Sequence, residues 1–536
     1  MLFLLIGPGV LLHGLLSPRR RAVELPLYAA ASWVIAFWWL RMLPMGWRWP
    51  VLLLGAGSLA AGLALRKLPD LPSAAVWAAA AAAFALLYRS ALVAPGVDGA
   101  MHAAVARVLA DAHGHPAGFR PLWPLDFFHS YPVGQPTLTA LLAELGGLPW
   151  RQAGLAGHAL AYALVIVAFA AALSRWASGN VTGLVAGVLA VLAARAPLHF
   201  WTWGGAPNAL GIAFGVAALA AGLDAFNDAR SAAACGLFAA ASLLTHGTTA
   251  AAFCYAGLPL TAAALWLRPA LRRGVFRLAA AGGLALLLCV PYLASLNPVL
   301  GPREVLWVKE TARQAASLRV FPQMLHDLPL IAGAAALLLV LARQPARALV
   351  PLGLAAAIAL LVLNGRSFTL PLSVLLYPDR VAVLLLLPLA FLCHDALAGR
   401  PRLAVLCIAG LLAHAATLHT KTLRAGADHA LATEADLRLI ESLPDCPILN
   451  NYGDAGQWIP ALAARPITFP QVNVLFFDEI ASRVHPCAAF RGEKRPYFTD
   501  ALPCPGPLCE SVRKEGNAEL FRIVDPAFWF EISAYR

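Results

Sequence analysis

Residues 94–142 read APGVDGAMHAAVARVLADAHGHPAGFRPLWPLDFFHSYPVGQPTLTALL. This is the first long polar interruption in a very apolar chain. It carries Asp98, His102, Asp111, His113, His115, Asp126 and His129, whereas the stretches on either side hold almost no ionisable groups. Those flanking stretches are long enough to cross about 30 Å of hydrocarbon, so the quoted residues read as a loop outside the membrane. Carboxylates and imidazoles gathered in one such loop point to chemistry at the membrane surface.

The rest of the composition agrees. The chain has 536 residues, 60% of them hydrophobic and 13% charged, with a mean hydropathy of +0.70. Soluble domains carry about 25% charged residues, so the sequence is that of a polytopic membrane protein. The formal charge of +12 is spread over short loops, where arginines orient helices. A nucleic acid is therefore excluded as a partner. The opening MLFLLIGPGVLLHGLLSPRRR carries its charge after the apolar run and has no small-residue cleavage site, so it reads as a first span.

Apolar runs follow near 2–16, 25–40, 51–65, 72–93, 155–174, 181–198, 208–223, 231–244, 248–267, 278–296, 328–342, 348–363, 381–397 and 403–419. The expected fold is thus mainly α, a polytopic helical protein of about 13–14 spans. Arg19, Arg20 and Arg21 fall on the same side as Arg66, Lys67, Arg175, Arg230, Arg268, Arg272, Arg273 and Arg277. Arg343, Arg347, Arg400 and Arg402 continue that register, which the positive-inside rule makes cytoplasmic. The loops 94–154, 199–207, 245–247, 297–327 and 364–380, and everything after about 420, then become external. In bacterial terms this is a multi-pass inner-membrane protein with a periplasmic C-terminus.

From about residue 425 the composition is that of an ordinary soluble protein. ATEADLRLIESL has the 3.6 period and acidic first turn of a helix. PILN, PITF and FRIV read as strands, and DAGQWIPALAA as a helix capped by Asp454. The domain reading is a transmembrane part over 1–421, with its external loop 94–154, and a small soluble α/β domain over 422–536. Five of the nine cysteines lie singly in apolar runs, while Cys446, Cys487, Cys504 and Cys509 all lie in the tail. Four cysteines in an oxidising compartment read as two disulfides, with three connectivities open and CPGPLC able to close on itself. Zinc is the weaker reading, because the spacing is not C-x-x-C.

Each candidate site residue has two readings. Asp98 follows a span directly and starts the helix GAMHAAVARVLADA, so it can cap that helix or act as a general base. His102, one turn on, is its partner or a substrate ligand, or a surface histidine. WPLDFFHSYPVGQP is an interfacial aromatic segment, or a sugar site lined by Asp126, His129, Tyr131 and Gln135. HFWTWGGAPNALG joins two spans as an aromatic belt whose glycine pair would let a substrate approach the backbone. His246 in THGTTA is structural or substrate-binding, and Arg380 in LLYPDRVAVLLLL snorkels or binds a lipid phosphate.

Taken together, these residues resemble the GT-C superfamily, integral-membrane glycosyltransferases that use a polyprenyl-phosphate sugar. The motifs are Asp98 just after a span with D-x-x-x-H to His102, the W…D…H…YP-x-G stretch, YPDR before a late span, and NNYGDAGQWIPALAARP in the tail. The resemblance implies a prokaryotic inverting transferase that moves sugar from a polyprenyl-phosphate carrier to a glycan, lipid or protein acceptor. Asp98 would be the base. His102, Asp126, His129, Tyr131, Gln135, His246 and Arg380 would bind substrate, and membrane lipid would be a partner. The chain departs from the pattern in having extra early spans and no carboxylate in 199–207, which implies no metal and no other cofactor. A transporter or flippase, or a non-catalytic assembly protein for lipid-linked saccharides, is the other class. A transporter would want ionisable residues along the spans, which are nearly free of them. The external tail has a direct test. A single cysteine engineered into it should react with a membrane-impermeant thiol reagent on intact cells, and reaction only after lysis would reverse the topology.

Overall fold

The structure is a computed structural model. It describes most of residues 2–524; the stretches 124–132, 296–331, 364–369, 371–375, 469–484, 495–508 and 525–536, with several shorter ones, lie outside the described residues. The apolar runs form α1 (Leu2–Leu16), α2 (Leu25–Leu40), α3 (Arg48–Ala64) and α4 (Leu71–Arg89). The quoted loop contributes α5 (Val97–Asp111) and α6 (Gly134–Glu144). Then come α7 (Trp150–Trp176), α8 (Val181–Leu192), α9 (Arg195–Trp203), α10 (Ala206–Ala225), α11 (Ala229–Thr245), α12 (Gly247–Leu267), α13 (Arg272–Leu288) and α14 (Val290–Ser295). Helices Pro345–Val362, Pro378–Leu397 and Pro401–His429 follow.

Six helices are long and apolar enough to cross a membrane, or seven if α8 and α9, bent by 47°, count as one span. This makes a multi-pass membrane protein, with fewer full-length spans among the described residues than the 13–14 expected. As described, α1 has 15 residues, and α3, α11 and α13 have 17 each, against about 20 for an unstrained crossing. The run 328–342 is only partly described.

Contacts divide the chain into two compact units. One comprises Met1–Ala85, Leu160–Phe200 and Ala206–Thr422; the other comprises Leu86–Ala159, Trp201–Gly205 and Leu423–Arg536. The tail thus begins next to the expected boundary at 422, while the loop 94–154 groups with the tail.

In the helical unit, one set of helix ends is tied by polar contacts. Arg175, in the last turn of α7, donates from Nε and Nη2 to Glu24 at 2.5 and 2.6 Å, and from Nη1 to Asp224 at 2.9 Å. Ser17 and Tyr28 hydroxyls lie 2.9 Å apart beside them. Arg277 Nη1 donates to the Phe226 carbonyl at 2.7 Å, and Trp176 Nε1 donates to Asp395 at 3.2 Å. The segments near 17–24, 175–182, 224–230, 277, 347 and 394–395 therefore meet at one end, the same segments that the arginine alternation assigned to one side. Asn180 caps α8 and Asp228 caps α11 at that end.

The tail forms a four-stranded sheet in the order β1-β2-β4-β3: β1 (Ile448–Leu449), β2 (Ala488–Arg491), β3 (Cys509–Glu515) and β4 (Ala518–Ile523). β1 and β2 run parallel and the other pairs antiparallel. PITF contributes only a parallel bridge, Ile467 to Ile448. Helix Glu434–Ile440 carries a capping box between Thr433 and Asp436. Asp454 caps a 3-10 turn, Ala455–Trp458, that runs into helix Ile459–Ala463. Its carboxylate accepts from Gly456 N, Gly492 N and Asn451 Nδ2, yet burial pushes its pKa up to about 7. Cys446 and Cys487 form a disulfide ahead of the two parallel strands. Cys509 is also disulfide-bonded, with a partner outside the described residues. The zinc reading fails for Cys446, Cys487 and Cys509.

Arg175 supplies a stability test. Arg175→Met leaves the buried Glu24 carboxylate and the half-buried Asp224 without their cation and should cost about 3–5 kcal/mol. The loss is read as a lower midpoint of thermal unfolding in detergent, and adding Glu24→Gln to Arg175→Met should recover part of it.

Candidate functional site

Within the second unit, Asp98 lies half-buried in the first turn of α5. It is not the cap. Gly96 takes that position at φ 74°, a conformation that favours glycine, and its N–H donates to the His429 carbonyl at 3.0 Å. Asp98 is instead the second helical residue, where its charge complements the helix N-terminus. The segment 203–204 closes over the same turn. A Cβ on Gly96 would stand 2.1 Å from the Trp203 carbonyl carbon, and one on Gly204 would stand 2.5 Å from Gly99 N and 2.9 Å from Asp98 Cβ. The expectation that this glycine pair admits substrate is therefore corrected for Gly204. What approaches it is the backbone of α5.

His102 is buried, and its ring centre is 5.8 Å from that of His158 in α7. His158 Nδ1 lies 3.0 Å from the Gly154 carbonyl, to which it can only donate. His102 is thus one of an imidazole pair on the inner face of α5, one turn from Asp98, and not a surface histidine. His158 escaped the sequence reading because it sits inside the apolar run GHALAYALV.

Gln135 is placed differently from the expectation of a sugar-lining residue. It is 1% exposed, and its Nε2 donates to Thr139 Oγ1 at 3.0 Å against Gly157 of α7. Its amide therefore packs α6 onto α7. Asp126, His129 and Tyr131 lie outside the described residues.

In the helical unit, the structure brings together two residues 134 positions apart. Arg380 Nη1 donates to His246 Nε2 at 3.0 Å, and the guanidinium stacks 4.3 Å above the Tyr377 ring. A guanidinium only donates, so His246 accepts at Nε2 and holds its proton on Nδ1. That Nδ1 is buried with no hydrogen-bond partner among the described residues, and so is the hydroxyl of Thr248. Both residues stand at the N-terminus of α12. A helix N-terminus, a guanidinium and two polar groups without a partner among the described residues are the kinds of group that can hold an anion. Thr248 was missed by the sequence reading; THGTTA, with its three hydroxyls beside a histidine, was the available signal. Among the described residues no group of three or more His, Cys, Asp or Glu side chains is arranged to hold a metal ion.

The chain shares its fold with solved structures. In particular, it is similar to ArnT from Cupriavidus metallidurans. The apo ArnT structure aligns at TM-score 0.52 and 16% identity over 84% of this chain and 98% of ArnT. ArnT bound to undecaprenyl phosphate aligns at TM-score 0.58 and 18% identity over 85% and 99%. No family model and no curated protein matches the sequence. At these identities the likeness is one of fold.

The backbone fit at Asp98 can be measured. Gly147 (φ 67°) has open space where its Cβ would stand, whereas Gly204 (φ 88°) does not. Gly147→Ala should therefore cost only the strain of a left-handed alanine, about 1–2 kcal/mol. Gly204→Ala adds overlap with the first turn of α5 and should lower the thermal midpoint further, and equal losses would remove the close packing around Asp98.

Proposed function

We propose that the protein is an inverting glycosyltransferase that moves a sugar from a polyprenyl-phosphate carrier to an acceptor hydroxyl on the external membrane face. The observation that carries this reading is the anion site of Arg380, His246 and the α12 N-terminus, in a chain with the GT-C fold. The solved ArnT bound to undecaprenyl phosphate supports a lipid phosphate as the group recognised. The external face and the bacterial inner membrane rest on the arginine pattern.

The residues divide the work as follows. Arg380 and His246 hold the donor phosphate, which leaves with the negative charge that develops on its bridging oxygen. Asp98 accepts the proton of the acceptor hydroxyl as that oxygen bonds to the anomeric carbon, and the bond from that carbon to the phosphate oxygen breaks. One displacement with one base inverts the anomeric centre, since retention by double displacement needs a second carboxylate as nucleophile. His102 and His158 keep the α5 turn dry and rigid beneath Asp98. Asp126, His129 and Tyr131 are proposed to contact the sugar, and the reaction is proposed to need no metal or other cofactor. The acceptor is a glycan, lipid or protein.

Transport of a lipid-linked saccharide is the second reading. The enclosed carboxylates of the helical unit argue against it, because Glu24, Asp224 and Asp395 sit at helix ends beside Arg175 or Arg347. A transport path would place such groups along the spans.

Asp98→Asn tests the enzyme. Because Asp98 is not the cap, Asn at the second helical position should preserve folding and donor binding. It should reduce transfer from a polyprenyl-phosphate sugar by about 10²–10⁴-fold, the usual size of general-base catalysis. In parallel, Arg380→Lys keeps the charge but loses the planar fork, and should raise the apparent KM for donor more than it lowers kcat. Near-wild-type turnover in folded Asp98→Asn would remove Asp98 as base. Unchanged donor KM in Arg380→Lys would remove the phosphate contact.

A further inference from the structure

The helical unit holds a second amphipathic feature, independent of the transferase reading. A cavity of about 530 Å³ lies between α8, the later part of Pro378–Leu397 and the start of Pro401–His429. Its walls are aliphatic, with Val185, Leu189, Leu397, Ile408 and Leu411 among them. Its other lining is polar and gathers at one end, at Thr182, His394 and Arg400.

The polar end is short of negative charge. Thr182 Oγ1 and His394 Nε2 are 3.2 Å apart, and His394 Nδ1 is 3.3 Å from Asp395. Asp395 does not line the cavity; it already accepts from Trp176 and lies 4.0 Å from Arg347. Arg400 is half-buried and has no acidic partner among the described residues. Two helix N-termini open at this end, since α8 starts at Val181 and Pro401–His429 starts directly after Arg400. Each adds partial positive charge to that of the guanidinium. The walls therefore suit an alkyl chain and the mouth suits an anion.

Position narrows the occupant. Pro378–Leu397 is a 20-residue helix with Arg380 in its first turn and His394 in its last. Its ends are roughly 30 Å apart, so this cavity is at headgroup depth of the other leaflet from the Arg380 site. A single small ligand occupies cavities of about 300–1,000 Å³. One acyl chain fits that space, and a polyprenyl chain of many isoprene units does not.

We propose that this cavity binds an anionic glycerophospholipid, its phosphate at Arg400, Thr182 and the two helix N-termini and one acyl chain between α8 and Pro401–His429. The lipid completes the packing of a helix that buries almost none of its own apolar window. Arg400 supplies the selectivity and the aliphatic walls supply the affinity.

Three native thiols report on this. Cys393 and Cys407 are free and line the cavity, while Cys254 is free, exposed and remote from its lining. The full chain is delipidated in detergent and given phosphatidylglycerol, phosphatidylcholine, diacylglycerol or inorganic phosphate. Labelling by N-ethylmaleimide is then followed at each cysteine by peptide mass. Phosphatidylglycerol should slow labelling of Cys407 about tenfold relative to phosphatidylcholine or diacylglycerol, the worth of one charged hydrogen bond, and leave Cys254 unchanged. Arg400→Gln should abolish that preference and Arg402→Gln should keep it. Equal protection by diacylglycerol and phosphatidylglycerol in the wild type overturns the proposal without any variant. So does protection by inorganic phosphate alone, or a preference that survives in folded Arg400→Gln.

Discussion

The helical unit depends on a buried cation held between two acids. Arg175 is almost fully enclosed, and so is Glu24. Each would be too costly to desolvate alone, and together with Asp224 they neutralise one another through near-ideal geometry. The cluster joins the α1–α2 turn, the end of α7 and the end of α10. With those ends fastened, the depth of each helix is set, because a slide by one turn would break every bond at once. The opposite ends then come into register. Gly211 of α10 has space for His246 and not for a side chain of its own, and His246 meets Arg380. Arg175 thus has a double meaning. Its side agrees with the topological reading, but its charge is spent inside the protein, so the orienting signal rests on the remaining arginines.

A steric constraint does comparable work in the other unit. Gly96 and Gly204 both have positive φ, and each is in contact with backbone where any other residue would place a Cβ. Their absence of side chains lets three segments distant in sequence, 94–99, 203–204 and 429, converge on one helical turn. Asp98 is carried on that turn. Its position therefore follows from backbone packing on all sides, the kind of support that a loop carboxylate needs if it is to keep one geometry.

Much of the helical framework was legible because hydropathy and length are properties of contiguous residues. The runs at 2–16, 25–40, 208–223 and 231–244 match helices almost end to end. In the tail, the capping box at Thr433 and the cap at Asp454 were readable for the same local reason. β3 was not, since CESVRKE lies at the sheet edge with nearly every residue exposed and shows no apolar alternation. β2 is four residues long and half alanine, too little pattern for strand reading. At the site, the position of Asp98 after a span was visible, but its distinction from the cap turned on a single glycine dihedral. The meeting of His246 with Arg380 was invisible in principle, being a tertiary contact between residues far apart in sequence. His158 was hidden by apolar neighbours that made it look like an ordinary span residue, and Thr248 by standing at the start of the apolar run 248–267.

The Arg380 cluster also has a polarity that bears on what it can recognise. Arg380 is obliged to donate, which commits His246 to accept at Nε2 and leaves Nδ1–H as its remaining polar atom. The first amides of α12 are donors by position, and only the Thr248 hydroxyl can act either way. A set weighted so strongly toward donors discriminates by chemistry before it does so by shape. A protonated lipid amine brings only donors and would leave donors facing donors, and a sugar hydroxyl can accept but carries no charge. A phosphate brings none at its non-bridging oxygens, and its charge strengthens each bond it accepts. The Nδ1–H of His246 has no acceptor among the described residues, and a buried donor is costly in a helix bundle until one is supplied.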